Sequence, residues 1–179
     1  MDEYLVKSPA GDYAFLPPDD ERSYHFYMQD RILRQQRGVK SYFPSLENID
    51  SPGSYDEIIQ AHGGIDISLN AIGEDGHTFG FNMPGSSFSS KTRMVELNDD
   101  TKAVNEKLTG LATPQYAVTA GLETGMASRE VLMLVSGKRK ADMLKQIIHG
   151  EISDSVPATV LRKHPNCLWI VDEAAASEL

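Results

Sequence analysis

Apolar and polar positions follow two different styles along this chain. Up to about residue 56 the pattern is broken repeatedly, at Ser8-Pro9, Pro17-Pro18, Phe43-Pro44 and Ser51-Pro52-Gly53, which predicts loops around one helix. That helix is predicted over 20–36. Asp20 and Glu21 open it, Arg34 and Arg37 lie near its end, Gly38 stops it, and Tyr24, Tyr27, Met28 and Leu33 form an apolar stripe. From residue 65 onward short apolar runs alternate with helical spacing. Strands are predicted at 65–72, 94–97, 116–119, 131–135 and 168–171. A helix over 138–149 sets Ala141, Leu144 and Ile148 on one side with Gly150 beyond its end, and another opens at Pro157 and closes before His164-Pro165. Strands separated by helices predict an α/β fold with a mostly parallel sheet.

Composition narrows the partners. The 179 residues fit a single domain, 1–179. Seventeen Lys and Arg against 26 Asp and Glu leave a net charge of −9, so no basic face is expected to track a phosphate backbone and nucleic acid is excluded as a partner. Cys167 is the only cysteine, which rules out an intrachain disulfide or a multi-thiolate zinc site and suits a reducing cytoplasm. No apolar run reaches the ~20 residues of a membrane-spanning helix. Met1-Asp2-Glu3-Tyr4 lacks the basic-then-apolar order of a signal peptide. The expectation is a soluble cytoplasmic protein without membrane contact.

In α/β folds ligands bind beyond the carboxyl ends of the strands, and three places qualify. The first is Gly73-Glu74-Asp75-Gly76-His77, where two glycines permit a sharp turn and Asp75 with His77 can aim a carboxylate and an imidazole at one pocket. Asp-Gly is also a common turn pair, so an ordinary turn is the competing reading. The second is Ser136-Gly137-Lys138-Arg139-Lys140, running into a helix N-terminus. Three successive cations at a positive helix end are unfavourable unless an anion visits, which suggests a phosphate. A solvated basic first turn is the alternative. The third, Asp2 and Glu3 at the N-terminus, says little alone. A Gly-x-Ser-x-Gly elbow, a His-Glu-x-x-His helix, a dinucleotide fingerprint and paired thiols are all absent.

Longer stretches carry a family resemblance. Ile72-Gly73-Glu74-Asp75-Gly76-His77, Phe81-Asn82-Met83-Pro84-Gly85-Ser86-Ser87 and Ser90-Lys91-Thr92-Arg93 resemble the glucosamine-6-phosphate deaminase/isomerase family. So, in order, do Tyr116-Ala117-Val118-Thr119-Ala120-Gly121, Leu134-Val135-Ser136-Gly137, Val156-Pro157-Ala158, Leu161 with His164-Pro165, and Val171-Asp172-Glu173-Ala174-Ala175. Tyr4 and Ser23-Tyr24-His25 extend the match, and Met1-Asp2-Glu3-Tyr4 resembles a motif at the end of an early family strand. The resemblance implies a Rossmann-like sheet with helices on both faces, here expected to lack the family's N-terminal portion and its Gly- and Thr-rich phosphate loop.

It also implies a reaction. The family opens the ring of an amino-sugar phosphate, moves a proton between C2 and C1 through an enediol-like intermediate and releases ammonia, leaving fructose 6-phosphate, with no cofactor or metal. Carried over by position, Asp2 is the base of that proton shuttle, His77 the acid/base of ring opening and Asp75 its orienting carboxylate. Gly76 touches substrate, and Lys140 and Lys107 contact its phosphate, although the family usually has Arg at the second position, which alone offers a bidentate fork. Ser86, Ser87 and Arg93 match an allosteric sugar-phosphate site, but Val95 stands where regulated members carry Lys. Met83 takes the place of a Glu that completes the relay, and a thioether accepts no proton. That keeps galactosamine-6-phosphate isomerase-like members in view. A 6-phosphogluconolactonase, which Phe81-Asn82 before Pro84 disfavours, a non-catalytic sugar-phosphate sensor and an inactive truncated homologue are the other readings. The expected assembly is a homo-oligomer.

Overall fold

The computed structural model describes residues 2–36, 38–45, 49, 51 and 53–179. Met1 of the N-terminal motif, Arg37 of the predicted helix end and Pro52 of the predicted loop lie outside the described residues. In chain order the described strands are β1 (Glu3–Lys7), β2 (Tyr13–Phe15), β3 (Ile67–Asn70), β4 (Arg93–Glu96), β5 (Tyr116–Thr119), β6 (Glu130–Val135) and β7 (Cys167–Val171). The helices are α1 (Tyr24–Arg31), α2 (Ser54–Ala61), α3 (Asp99–Thr109), α4 (Leu122–Met126) and α5 (Ala141–His149), with 3-10 turns at Leu33–Gln35, Lys138–Lys140 and Pro157–Lys163. Two compact units result. The first comprises Met1–Ser54 with Arg93–Thr119, the second Tyr55–Thr92 with Ala120–Leu179.

The first unit is built on an antiparallel sheet of order β2-β1-β5-β4. Leu5 pairs with Phe15 on one side and Tyr116 on the other, and Met94 pairs with Val118. Leu5, Ala117 and Val118 are fully buried. Strand β1 is fastened to α1 by a buried acid. The Glu3 carboxylate accepts from the Ser23 hydroxyl (2.8 Å) and from the amides of Tyr4 (2.8 Å), Tyr24 (3.2 Å) and His25 (2.9 Å). Ser23 itself caps α1 by accepting from His25 and Phe26, and the Tyr4 and Tyr24 rings stack at 5.1 Å. The cap starts α1 four residues later than 20–36 predicts, and a 3-10 turn replaces its far end. Helix α3 occupies a stretch to which the sequence pattern assigns no element. Asn98 caps it on the Thr101 amide at 2.8 Å, and Gly110 closes it at φ 72°.

The second unit carries the parallel sheet, of order β3-β6-β7. Its strands fall inside or within a residue of the predicted spans, with Leu69 opposite Leu132 and Met133 opposite Trp169. Val131, Met133 and Val135 of β6 turn to one face and meet Leu122 of α4, Leu144 and Ile147 of α5, and Ala158 and Leu161 of the third 3-10 turn. Each Val, Leu, Ile or Met side chain buried this way contributes about 1.5–3 kcal/mol. The predicted helix at Pro157 is a 3-10 turn with Pro in its first turn. The opposite face differs from the expectation of helices on both sides. Ile67, Leu69, Leu134, Leu168 and Ile170 point outward there, each between 42% and 64% exposed. These strands are apolar on both faces, as two-sided parallel strands are, while the described helices of this unit cover one. Among the described residues, no helix is long and apolar enough to cross a membrane.

Candidate active site

The turn after β3 is shaped by its glycines. The Gly73 amide donates to the His77 carbonyl (2.9 Å) and the Gly76 amide to the Gly73 carbonyl (3.2 Å), so the chain doubles back within five residues. A Cβ on Gly73 would run into Cε1 and Nδ1 of His77, so only glycine lets the imidazole lie over this backbone. Gly76 sits at φ +83°, and a Cβ there would fall 2.7 Å from Cγ1 of Val156. The Gly76 carbonyl accepts from the Ala158 amide at 3.0 Å, tying the turn to the third 3-10 segment.

This fold-back brings the predicted pair together. His77 Nδ1 lies 2.6 Å from Asp75 Oδ1, and the same oxygen accepts from the His77 amide at 3.1 Å. The contact assigns the proton to Nδ1 and leaves Nε2 with the lone pair. Burial raises the carboxyl of Asp75, but the hydrogen bonds and charge of His77 outweigh it and hold Asp75 below its ordinary value. Both side chains stay about a quarter exposed. Asp75 Oδ2 is buried and, among the described residues, has no hydrogen-bond partner. A shielded oxygen of an ionised carboxylate is costly to leave without a donor, so this acceptor is primed to take one.

Behind the dyad the backbone is pinned. Phe79 adopts φ 49°, an uncommon conformation for a bulky residue, with its ring against Gly125, where a Cβ would collide with it. Asn82, fully buried, donates through Nδ2 to the carbonyls of Phe79 (2.7 Å) and Ala120 (2.8 Å) and holds the loop to the start of α4.

The cationic turn is the second component. Strand β6 ends at Val135, Gly137 takes φ 89°, and Lys138–Lys140 form a 3-10 turn leading into α5, with no side chain capping either element. Burial draws the Lys140 ammonium below its ordinary value, the Glu74 charge opposes that and Arg139 adds to it. Arg139 Nε lies 3.2 Å from Glu74 Oε1. Glu74 belongs to the dyad's own turn, so this ion pair joins the two components.

The other predicted residues are spread over both units. Asp2 precedes β1 in the first unit, where its Oδ1 accepts from the buried Thr119 hydroxyl at 2.8 Å. Lys107 is exposed on the last turn of α3. Arg93 begins β4, its guanidinium lowered by burial. Ser86 and Ser87 lie in the second unit, in a serine-rich loop where Ser87 Oγ and Ser89 Oγ are 3.0 Å apart. Met83 contributes its carbonyl to the Ser86 amide at 3.0 Å. Sequence reasoning missed three supporting contacts: Thr119 on Asp2, Arg139 on Glu74, and the Asp172 carboxylate on the Gly137 amide (3.0 and 3.1 Å). The last had a usable signal, an acid immediately after a predicted strand. Among the described residues, no cluster of His, Cys, Asp and Glu has the makings of a metal centre.

Comparison with known proteins places the chain in a family. The pattern of the family described as glucosamine-6-phosphate isomerases/6-phosphogluconolactonase matches residues 5–169. A glucosamine-6-phosphate deaminase of Shouchella clausii is 39% identical over 175 residues, 93% of this chain and 70% of that protein. Glucosamine-6-phosphate deaminase 1 of Bacillus subtilis is 36% identical over 173 residues, covering 93% and 71%. Among solved structures, a monomeric glucosamine-6-phosphate deaminase superposes with a TM-score of 0.87 at 34% identity, over all of this chain and 73% of that one. A 6-phosphogluconolactonase from Trypanosoma cruzi, with a TM-score of 0.67 at 21% identity over 99% and 70%, shares the fold. The chain therefore belongs to the glucosamine-6-phosphate isomerase/6-phosphogluconolactonase family.

Proposed function

We propose that the protein converts an amino-sugar 6-phosphate, glucosamine 6-phosphate or its galactosamine counterpart, into the ketose 6-phosphate and ammonia. The observation that carries this reading is the Asp75–His77 pair, 2.6 Å apart and linked through Glu74 and Arg139 to a turn of three cations. His77, protonated at Nδ1 and free at Nε2, takes a proton from the anomeric hydroxyl and delivers one to the ring oxygen, and Asp75 stabilises the imidazolium between the two transfers. Asp2 removes the proton from C2 of the open chain and returns it at C1. Water then adds at C2 and ammonia leaves. Lys140 and Lys107 hold the phosphate, and the turn at Gly76 lets backbone approach the sugar.

Two features fit a variant of the family relay. Met83 offers no carboxylate, so the relay ends at Asp75. Glu74, the nearest acid in sequence, is engaged by Arg139. A phosphorylated substrate and one thiol suit the cytoplasm. The assembly we propose is a homo-oligomer, checked by sedimentation velocity, with a single species at 19.8 kDa counting against it.

The test of the reaction is ammonia release from glucosamine 6-phosphate and galactosamine 6-phosphate, with acid release from 6-phosphogluconolactone followed in parallel, together with Ser86→Ala and Arg93→Ala variants assayed against added sugar phosphate for the allosteric assignment. Turnover of an amino sugar supports the reading. Hydrolysis of the lactone alone replaces it with a lactonase, and tight binding without turnover replaces it with a sensor.

A further inference from the structure

We propose that Asp172 is a positioning residue for the cationic turn, fixing the peptide of Gly137 so that Lys140 meets a phosphate at the right place. The proposal rests on the reading of Lys140 as a phosphate contact. Strand β7 ends at Val171, and the Asp172 amide donates to the Val135 carbonyl at the end of β6 (3.2 Å). From that anchor its carboxylate reaches across to Gly137, whose amide lies 3.1 Å from Oδ1 and 3.0 Å from Oδ2. The Gly137 carbonyl in turn accepts from the Lys140 amide at 3.1 Å. Carboxylate, Gly137 peptide and Lys140 backbone therefore form one hydrogen-bonded series.

The need for an external anchor comes from the turn itself. Gly137 stands at φ 89° and ψ 144°, and no side chain of the turn caps it. A glycine peptide without a Cβ is the most easily rotated in the segment. Asp172 is held in its own place by a third bond, from the Ala175 amide to Oδ1 (2.8 Å), and Ala175 is fully buried in the core of this unit. These backbone donors hold the Asp172 carboxyl below its ordinary value.

Charge and geometry predict opposite outcomes, which makes the proposal testable. Removing an anion beside a phosphate site strengthens phosphate binding if charge is all that matters. Loss of the acceptor weakens it if Asp172 works by placing Gly137. The probe is inorganic phosphate, titrated by NMR into the full chain. Asp172→Ala is expected to weaken phosphate binding about tenfold, the scale of one lost charge-assisted hydrogen bond. Asp172→Glu, which keeps the charge but displaces the oxygens by a methylene, is expected to weaken it comparably. Asp172→Asn, which keeps Oδ1 as an acceptor, is expected to stay within about threefold of the parent. In a Lys140→Ala background the Asp172→Ala change is expected to have no further effect, because the two act in series. Affinity that rises in Asp172→Ala, is unchanged in Asp172→Glu, or falls equally with and without Lys140 overturns the proposal, as does a parent chain that binds no phosphate. If Asp172→Ala does not fold, Asp172→Glu against Asp172→Asn decides. A parent that binds phosphate through this series yet releases no ammonia from any amino sugar leaves the positioning role standing and removes the proposed reaction.

Discussion

Two aspartates stand just beyond strands of the same parallel sheet and meet opposite fates. Asp172 comes directly after β7, and both its oxygens accept backbone amides. Asp75 lies five residues after β3, gives one oxygen to the imidazole and amide of His77, and keeps the other buried without a donor among the described residues. Both carboxyls are held below their ordinary value, so acidity alone does not tell them apart. What separates them is completeness. A carboxylate saturated by backbone holds shape, whereas one left short of a donor beside a titratable ring is available to chemistry.

The largest test of that contrast is kinetic. His77→Asn and Asp75→Asn are each expected to lower kcat by roughly a hundredfold or more while the fold, followed by circular dichroism, is retained. Asp172→Asn is expected to leave kcat within about twofold of the parent. A Gly73→Ala substitution should approach the loss at His77 itself, at roughly tenfold or more in kcat, because the added Cβ meets a rigid ring that cannot yield without leaving Asp75. Equal kcat values for the Asp75 and Asp172 variants would erase the distinction between an open and a closed carboxylate.

A smaller effect, on a different constant, is expected at the cation. Lys140→Ala should raise KM about tenfold or more with little change in kcat, since the phosphate is held alike in ground and transition states. Steady-state kinetics over a wide substrate range separates the two constants. A fall in kcat with KM unchanged would move Lys140 from phosphate binding into the reacting centre.

The parallel unit was the more legible in sequence, for physical reasons. Strand β6 is an unbroken apolar run from Val131 to Val135, Gly150 and Pro157 punctuate the chain between β6 and β7, and Asp75 and His77 are two residues apart with glycines around them, so the dyad is a local feature. The antiparallel unit hides its organisation. Strand β1 is only five residues long and is held by Glu3, whose partners lie about twenty residues away at the start of α1. Helix α3 has caps at Asn98 and Gly110 but exposes Val104 and Leu108 and buries only Thr101, so it lacks an apolar stripe to betray it. The Asp172–Gly137 bond was half legible: Asp172 stands directly after a predicted strand, but its partner is a backbone amide 35 residues away, and backbone amides have no sequence signature.

The smallest expected effect concerns acid stability. Each carboxyl ionises more readily in the folded chain than in the unfolded one, so each contributes stability that is fully present above its unfolded value, about 3.9, and is lost as pH falls through its lower folded value. Thermal melts between pH 6 and pH 3 should therefore slope downward toward acid in the parent. Asp75→Asn should flatten that slope by about 2–4 °C, the shift that about 1 kcal/mol makes in a chain of this size. Asp172→Asn should flatten it less, because Asp172 is exposed and solvent screens what its amide partners gain. A steeper acid slope in either variant would mean that the carboxyl is harder to ionise in the folded chain than outside it, and the contrast between a closed and an open acid would then have to be drawn from their hydrogen-bond partners alone.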